Sequence, residues 1–424
     1  MMHTANSKPN NFTETICPHA EFCGGCAYQG VPYEEQLANK AGEVKGLLDA
    51  KEIRYGELLP IEPAPEQYGY RNKMEYTFGD MIKDGPTTLG MHKKGHFMSI
   101  VTVDECRLVH PDFNAILRAT LDFAEAHGYT HYHKKRHTGL LRNLIVRRGV
   151  RTGELLVNIV TTSDEEATEG RAAQVFDEAG FAEMIEGLDL QNRVVGVLRT
   201  INDRLADAVY CDELRVLAGR EYYNEKIMGL NFRVSAFSFF QTNVAAVENL
   251  YSYALNLIGA GLDHGMPTVE GSCEYEGRKV FDLFCGTGTI TQVLAKKASE
   301  VVGVEIVEEA VEAAREAAQA NGLDNCRFIA GDCFKVLDSL DPADRPDIIV
   351  VDPPRVGISN DALDKIIGYG VDHIVYISCN PKTLANDLYY LQYYGYSISS
   401  VKPFDNFPCT RHVETVALLS RTEK

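Results

Sequence analysis

The arrangement of apolar and polar positions changes at about residue 240 of the chain. From about residue 70 to 240, short runs alternate between apolar and polar side chains and are broken by Gly, Asp and Asn; they cover residues 73–80, 87–103, 141–150, 153–162 and 192–202. A period of two is typical of half-buried strands. Before these runs, residues 33–51 have apolar positions at helical spacing and predict an amphipathic helix, which could pack on the domain C-terminal to residue 240. We predict a mixed α+β domain over residues 17–240, after a disordered tail over residues 1–16.

Beyond Gln241 the apolar runs become almost continuous. They cover residues 279–290, 300–306, 326–333, 346–354 and 373–380, and helical segments such as residues 308–322 lie between most of them. Buried strands that alternate with helices predict a parallel sheet covered on both faces. We therefore predict an α/β protein whose residues 241–424 form a doubly wound, Rossmann-like domain. Residues 261–279 are expected to form a loop or insertion before its first strand.

Composition and charge narrow the class of protein. The chain has 424 residues, of which 45% are hydrophobic, and it has no stretch of eighteen apolar residues and no signal-peptide pattern. We therefore expect a cytoplasmic protein that does not enter a membrane. The net charge of −18 argues against a surface that is basic throughout.

Two stretches nevertheless have the composition of a polyanion-binding surface. Residues 131–151 contain seven Lys or Arg and no acid, and residues 68–76 interleave Arg71 and Lys73 with tyrosines. Such positive charge attracts phosphates, and aromatic rings can stack on unpaired bases. A solvated basic surface is the alternative.

The first strand of the C-terminal half ends in DLFCGTGT, which places Gly286 and Gly288 at the turn into a helix. Without side chains, the backbone of such a turn can approach a ligand, and the helix start offers free N–H groups. Glu305 ends the second strand, nineteen residues after Gly286, where a carboxylate can accept hydrogen bonds from ribose hydroxyls. The third glycine of the dinucleotide fingerprint is missing, and Asp282 favours the S-adenosylmethionine variant of the fold. An ordinary tight turn is the alternative. Asp332 ends the third strand, where it could meet an adenine amine or cap a helix.

Asp352 and Cys379 follow the next two apolar runs, in VVDPPRVG and VYISCNP. Because ligands of open α/β sheets bind beyond the carboxyl ends of the strands, we expect both residues in one crevice with the glycine turn. Methylation of a pyrimidine at carbon 5 needs a thiolate that adds to carbon 6, a group that contacts the pyrimidine edge, and a base that removes the carbon-5 proton. Cys379, Asp352 and Glu414 of RHVETVALL fit these needs.

Other assignments remain open for these residues. Cys379 could be a core residue or a metal ligand, and Glu414 could be a surface residue of an edge strand. Methylation of an exocyclic amine would favour an aromatic residue after the DPP sequence, but Arg355 stands there.

The eleven cysteines are expected to be reduced in the cytoplasm. Cys17, Cys23 and Cys26 have a C-x5-C-x2-C spacing, and Cys106 lies far downstream. Four thiolates suit a zinc ion or a 4Fe–4S cluster, and free structural thiols are the alternative. The C-x3-C-x2-C spacing of radical enzymes is absent, so a cluster here would brace the domain rather than take part in a redox reaction.

The segments FSFFQTN (237–243), DLFCGTGT, VVDPPRVG, YISCNP and DNFPCTRHVETVALL occur in this order. Together they resemble the RNA uracil-5-methyltransferases, the bacterial ribosomal and transfer-RNA enzymes that make 5-methyluridine, from about residue 17 to the end. The resemblance implies that Cys379 is the nucleophile and Glu414 the proton-abstracting base. It also implies a site for S-adenosylmethionine and the target base, lined by Gln241, Phe284, Gly286, Gly288, Thr289, Glu305, Asp332 and Asp352. Thr289 and Asp332 stand at positions that vary in the family.

The resemblance also bears on the metal and the substrate. The four cysteines resemble the cluster site of the ribosomal branch, which favours 4Fe–4S over zinc. We therefore expect a monomer that flips a uridine out of RNA, with 23S ribosomal RNA as the substrate and transfer RNA as the alternative. Many ribosomal members carry a small β-barrel before the cluster, whereas only sixteen residues precede Cys17, so the RNA target stays open. An inert iron–sulfur RNA-binding or assembly factor and a cytosine-5-methyltransferase are the other candidates.

Overall fold

A computed structural model of the chain describes residues 16–164, 174–206, 208–264, 278–339 and 345–422. The predicted N-terminal tail lies outside these residues, apart from Ile16. The N-terminal half begins with helix α1 (Tyr33–Ala50) and the short strand β1 (Tyr55–Leu58). Within the described part of the chain, no helix is long and apolar enough to cross a membrane.

Residues 73–219 build the first sheet and the helices that cover it. Its strands are β2 (Lys73–Asp80), β3 (Thr87–Lys93), β4 (His96–Thr102), β5 (Leu141–Gly149), β6 (Glu154–Thr161), β7 (Arg193–Ile201) and β8 (Glu213–Gly219). Their order is β4-β3-β2-β5-β6-β7-β8, and only β6 and β7 pair in parallel. Helices α2 (Pro111–Ala126) and α3 (Glu178–Glu186) bury apolar faces in its core. A hairpin of β9 (Tyr222–Ile227) and β10 (Leu230–Ser235) follows.

The second sheet carries the parallel strands predicted for the C-terminal half. They are β11 (Lys279–Leu283), β12 (Glu300–Glu305), β13 (Cys326–Ala330), β14 (Ile348–Val351) and β15 (His373–Ser378), followed by β16 (Tyr396–Phe404) and β17 (Glu414–Arg421). The order is β1-β16-β17-β15-β14-β11-β12-β13, in which β17 is antiparallel to both of its neighbours. The helices are α4 (Val244–His264), α5 (Thr289–Ala295), α6 (Glu308–Ala320), α7 (Cys333–Ser339), α8 (Asn360–Tyr369) and α9 (Pro381–Tyr393).

Both faces of this sheet are buried, as the continuous apolar runs predict. Alternate residues of one strand enter different cores: in β14, Ile348 and Val350 pack with α4 and α5, whereas Ile349 and Val351 pack with α1, α8 and α9. Since successive side chains of a strand point to opposite faces, a strand with a core on each side must be apolar throughout. This is the predicted doubly wound α/β arrangement.

Two features differ from the predicted boundaries. Strand β1 pairs with β16 of the second sheet, although residues 55–58 lie inside the range 17–240 predicted for the first domain. The reason is that β16 would otherwise be an exposed edge, and a strand from anywhere in the chain can cover it. Helix α1, which the sequence allowed to pack on the C-terminal domain, packs against α9 and the core that Val351 enters. The segment predicted as a loop over residues 261–279 begins inside α4, which continues to His264; residues 265–277 lie outside the described part of the chain.

Candidate active site

The carboxyl ends of the parallel strands meet at one edge of the second sheet, and the predicted residues lie there. Asp352 follows β14, Cys379 follows β15, and Glu414 is the first residue of β17. Because β17 runs antiparallel to β15, its start lies beside the end of β15, and Ser378 pairs with Thr415. This register makes Cys379 and Glu414 neighbours across two strands.

The turn after β11 adjoins this crevice at the point where the strand order reverses between β11 and β14, which is where such sheets bind ligands. Phe284 and Gly286 both have left-handed backbone angles, with φ of 68° and 54°. A side chain added at Gly286 would meet nothing within 4 Å, so open space faces this residue. Glu305 reaches the same turn, where one of its carboxylate oxygens accepts the Gly286 N–H at 3.1 Å. The other oxygen accepts the N–H groups of the next two residues, Ile306 and Val307.

The other residues predicted to bind the cofactor differ in how far they are buried and in what they contact. Gly288 is packed: an added Cβ would lie 2.6 Å from Phe328, so its role is to let the turn pack against a neighbour. Thr289 is buried at the start of α5. Asp332 accepts the Lys335 N–H at 3.2 Å, as a cap of α7 would. Gln241 lies just before α4, where its carbonyl accepts a hydrogen bond from Asn72 of the first sheet.

The acidic groups of the crevice influence one another strongly. Burial, followed by the charges of Glu414 and Asp352, raises the pKa of Cys379 to about 11, and Arg355 opposes the rise. Burial, followed by the charge of Asp352, raises the pKa of Glu414 to about 8. Burial raises the pKa of Asp352 to about 7. A crevice that takes two carboxyls and a thiol partly out of water disfavours their simultaneous ionisation.

The loop that carries Asp352 and Arg355 is attached to α9. Asn380 accepts the Lys382 N–H as the cap of α9, and its side-chain amide donates to the Arg355 carbonyl at 2.9 Å. Asp387 on the same helix accepts the Ile358 N–H at 3.0 Å and the Tyr376 hydroxyl. The thiol and the loop opposite it are therefore held by one helix.

Sequence reasoning overlooked several residues of this site. Tyr251 of α4 is buried; burial, followed by the charge of Asp352, raises its pKa, and Gln241 hydrogen-bonds to it. No motif marks a tyrosine in the middle of a helix. Asn380 could have been found, since an Asn followed by Pro at a strand-to-helix junction is a typical helix start. Ile306 is 68% exposed beside Glu305 and gives the cofactor side of the crevice an apolar surface.

The four N-terminal cysteines lie near one another in the folded chain. The charge of Cys17 and of Cys23 would raise the pKa of Cys106, and that of Cys106 the pKa of Cys26, so these thiols interact electrostatically. Buried Cys409 joins Cys26 and Cys106 in a small apolar cluster. Among the residues that the structure describes, no group of three or more His, Cys, Asp or Glu is arranged to hold a metal ion.

The basic stretch is used differently from the prediction. Arg142 is buried and donates to three backbone carbonyls, those of residues 202, 204 and 206. Arg147 is also buried and donates to the Ser238 carbonyl. Tyr70 and Tyr76 of the second stretch are buried too, so their rings are not available for stacking on bases. Part of the positive charge of the basic stretch therefore holds the first sheet together and does not face solvent.

Comparison with known proteins agrees with this geometry. The sequence model of the family described as tRNA (Uracil-5-)-methyltransferase matches residues 230–422. An uncharacterized RNA methyltransferase of Clostridium tetani is 45% identical over 97% of this chain and 84% of its own length. One from Chlorobaculum tepidum is 35% identical over 97% of this chain and 83% of its own length.

A solved structure resembles the whole chain. It is the tRNA (uracil-54, C5)-methyltransferase of Pyrococcus abyssi in complex with S-adenosyl-L-homocysteine, which is 28% identical, covers 94% of this chain and 86% of its own, and has a TM-score of 0.70. The fold, the strand-end crevice and these relatives agree with one another. The chain therefore belongs to the S-adenosylmethionine-dependent RNA uracil-5-methyltransferase family.

Proposed function

We propose that this protein methylates carbon 5 of a specific uridine in RNA, with Cys379 as the nucleophile and Glu414 as the base. The observation that carries the proposal is the antiparallel pairing of Ser378 with Thr415, which brings a thiol and a carboxyl together beside Asp352. This is the set of groups that carbon-5 methylation needs. S-adenosylmethionine, when bound, supplies the methyl group.

The residues act in two stages. The Cys379 thiol first gives its proton to solvent, and the thiolate bonds to carbon 6 of the flipped uracil while the electron pair of the C5–C6 double bond moves to the ring as an enolate. Carbon 5 of this enolate then takes the methyl group as the bond between that group and the donor's sulfur breaks. Glu414 next accepts the proton from carbon 5, and the electron pair of that C–H bond restores the double bond as the carbon–sulfur bond breaks. Asp352 would contact the pyrimidine edge, and its pKa near neutrality suits a group that can donate or accept a hydrogen bond there.

The cofactor would lie against the turn after β11. Gly286 leaves space for it, and Glu305, held beside that turn, is placed to accept the ribose hydroxyls. Gln241, Phe284 and Asp332 surround the same space in our proposal, with Ile306 as an apolar contact for the adenine. Gly288 and Thr289 serve the turn and the helix rather than the ligand.

The target RNA would also contact loops at the far end of the first sheet. We call residues 81–86, 93–98 and 131–137 the loop surface. Phe97 is 64% exposed; His92 stacks on it with centroids 4.7 Å apart, and the Lys134 ammonium lies 4.9 Å from its ring. Lys135 and Arg136, which follow Lys134 in the chain, are exposed, and Arg136 is paired with Asp84 of the loop surface at 2.6 Å. An aromatic ring among exposed cations suits an unpaired base with its phosphates.

We propose 23S ribosomal RNA as the substrate, with transfer RNA as the second candidate. The four neighbouring thiols favour the ribosomal branch, whereas the Pyrococcus neighbour named for a transfer-RNA uridine favours the other. Mapping of 5-methyluridine in both RNAs from a strain that lacks the gene separates them. We further propose that the protein acts as a monomer in the cytoplasm.

We also propose that Cys17, Cys23, Cys26 and Cys106 hold a 4Fe–4S cluster that braces residues 17–240. The C-x5-C-x2-C spacing with one remote cysteine and the electrostatic interaction among these thiols support the proposal. Anaerobic purification should yield a brown protein with broad visible absorbance and about four irons per chain. A colourless protein containing one zinc would contradict the cluster.

The test of the activity uses RNA in which 5-fluorouridine replaces uridine. Because its carbon 5 carries no removable proton, the enzyme should remain covalently bound after methylation, as a slowly migrating band on a denaturing gel. Cys379→Ala should form no such band although it binds the same RNA. If the wild-type protein binds the RNA and gives no adduct, the chain is the inert RNA-binding factor; an adduct with 5-fluorocytidine RNA alone would make it a cytosine methyltransferase.

A further inference from the structure

The loop that leads into Glu414 is held by residues from the N-terminal part of the chain. Residues 405–413 join β16 to β17, and Phe404 pairs with Glu414 across the two strands. Asp405 therefore directly follows the cross-strand neighbour of Glu414. A contact that fixes Asp405 therefore also fixes the start of the loop, one residue from the position opposite Glu414.

Helix α1 supplies the main contact with this loop. Its buried face has Gln36, Lys40, Val44 and Leu48 at every fourth position, so the helix is polar at its start and apolar towards its end. Val44 and Leu48 enter the core of the second sheet. Lys40 donates to a carboxylate oxygen of Asp405 at 2.5 Å, and the side chains of both residues are 0% exposed.

Further buried hydrogen bonds hold the rest of the loop. The Lys40 ammonium also donates to the carbonyl of residue 407 at 3.0 Å. Cys409, whose φ is 65°, donates its N–H to Gln36 at 2.8 Å and accepts the Tyr28 N–H at 2.9 Å. The Tyr70 hydroxyl donates to the Pro408 carbonyl at 3.0 Å. The loop is thus attached to α1, to the cysteine-bearing segment and to the start of the first sheet.

Stability alone does not account for a fully buried ion pair. Removing two charges from water costs about as much as their attraction returns, and apolar residues in their place often leave a protein equally stable. What such a pair does specify is one position for the groups it joins. A general base must come within hydrogen-bond reach of its proton, and a misplacement of about 1 Å can cost roughly a hundredfold in rate.

We propose that Lys40 and Asp405 are positioning residues that hold Glu414 for the elimination step. The proposal rests on the function proposed above. Cys379 follows β15, and the loop that carries Arg355 is held by α9. In the part of the chain that the structure describes, the 405–413 loop contacts that side only through a 3.5 Å approach of His412 to Arg355, so addition of the thiol and methyl transfer should depend on it much less than proton removal does. Removal of the carbon-5 proton does depend on it, because the loop carries the backbone into Glu414.

The experiment separates these two stages in a single turnover. RNA with tritium at carbon 5 of its uridines is mixed with an excess of enzyme and a methyl donor labelled with carbon-14, and the two labels are followed in time. For Lys40→Met we expect methyl transfer within about twofold of wild type and tritium release slower by about tenfold to a hundredfold. The methylated RNA–protein adduct should then accumulate on a denaturing gel, as it should for Glu414→Gln.

Matched variants keep the outcome interpretable. Lys45→Met is the control, since Lys45 forms an exposed pair with Asp49 on the same helix and should behave as wild type. If Lys40→Met does not fold, the neutral pair K40M/D405N leaves no unpaired buried charge and should show the same partition between the two labels. Equal slowing of methyl transfer and tritium release, or no change in either, would overturn the positioning role. A wild-type protein and Glu414→Gln that both transfer no methyl group would instead overturn the proposed function.

Discussion

Cys379 must lose a proton before it can attack a pyrimidine, and its surroundings oppose that loss. Burial and two neighbouring carboxyls raise the pKa of this thiol to about 11, while Arg355 favours the thiolate. In the resting protein the nucleophile is therefore protonated at neutral pH. A resting thiol of this kind resists oxidation and alkylation, since only the thiolate is reactive.

Substitution of Glu414 should make this thiol more acidic. Glu414 has a pKa of about 8, so it carries a full negative charge only above that pH, and there it raises the pKa of Cys379. In Glu414→Gln we expect Cys379 to react with iodoacetamide about threefold to tenfold faster than in wild type at pH 9.5, and at nearly the wild-type rate at pH 6.5. Peptide mass spectrometry reports the modification of this cysteine alone.

Arg355 provides the control for this effect, because its charge is opposite to that of Glu414. Arg355→Met removes a group that lowers the pKa of Cys379, so alkylation should be slower than in wild type at the same pH. If both variants changed the rate in the same direction, access to the thiol rather than its charge environment would be the cause.

At the scale of elements, the turn between β11 and α5 shows how two glycines in one motif can have different tasks. Gly286 faces open space, whereas Gly288 lies against Phe328 and Ala314. Both have positive φ angles, which side chains other than glycine adopt at a cost. The motif thus combines one position where a ligand can approach and one where α5 packs closely on α6 and β13.

Alanine at the two positions should separate these tasks. Gly286→Ala should cost about 1 kcal/mol of stability from backbone strain alone, yet lower the affinity for the cofactor product at least about tenfold by filling its space. Gly288→Ala should destabilise the domain by about 3 kcal/mol, because strain and overpacking add. Denaturant unfolding and calorimetric titration measure the two effects. Equal losses of affinity in both variants, after correction for the unfolded fraction, would contradict this division.

At the scale of the whole molecule, an acidic protein must bind a polyanion, so its positive charge has to be concentrated. In the basic stretch over residues 131–151, half-buried Lys134 lies over Phe97 and exposed Lys135 follows it, whereas Arg136 is paired with Asp84. Arg142 and Arg147 brace the interior. Lys83 and Lys94 on the neighbouring loops are also exposed. This distribution leaves the loop surface as the place where phosphates would meet the first sheet.

Removal of this charge should weaken RNA binding in a salt-dependent way. For the variant K134Q/K135Q we expect a lower affinity at low salt and a slope of log K against log salt that is smaller by about 1 to 2. Phe97→Ala should lower the affinity for unpaired RNA without a change in that slope, because stacking releases no counterions. Binding isotherms at several salt concentrations measure both.

Arg151, in the same basic stretch, provides the control for this prediction. Arg151 is paired with Glu248 at 2.5 Å, so Arg151→Gln should leave RNA affinity and salt slope within error of wild type. If Arg151→Gln lowered the slope as much as K134Q/K135Q, the RNA would bind across the whole stretch and the loop surface would not be its site.

Much of the fold could be predicted because it depends on the sequence of residues within short segments. The apolar runs predict β11 to β15, because strands buried on both faces need apolar residues at every position. Gly286, Glu305, Asp352 and Cys379 could each be placed at a strand end, and parallel strands bring their carboxyl ends to one edge. In these cases local sequence marks the ends of the strands, and the alternation of strands with helices makes the strands parallel.

Other features depend on partners that lie far apart in the chain, and local sequence cannot define them. Whether Arg142 faces solvent or a set of carbonyls depends on how residues 202–206 fold over it. The insertion of β1 beside β16, and the contact of Lys40 with Asp405, join segments more than three hundred residues apart. Burial and pairing of this kind arise only when the whole chain has packed, because they depend on which surfaces are left uncovered by every other element.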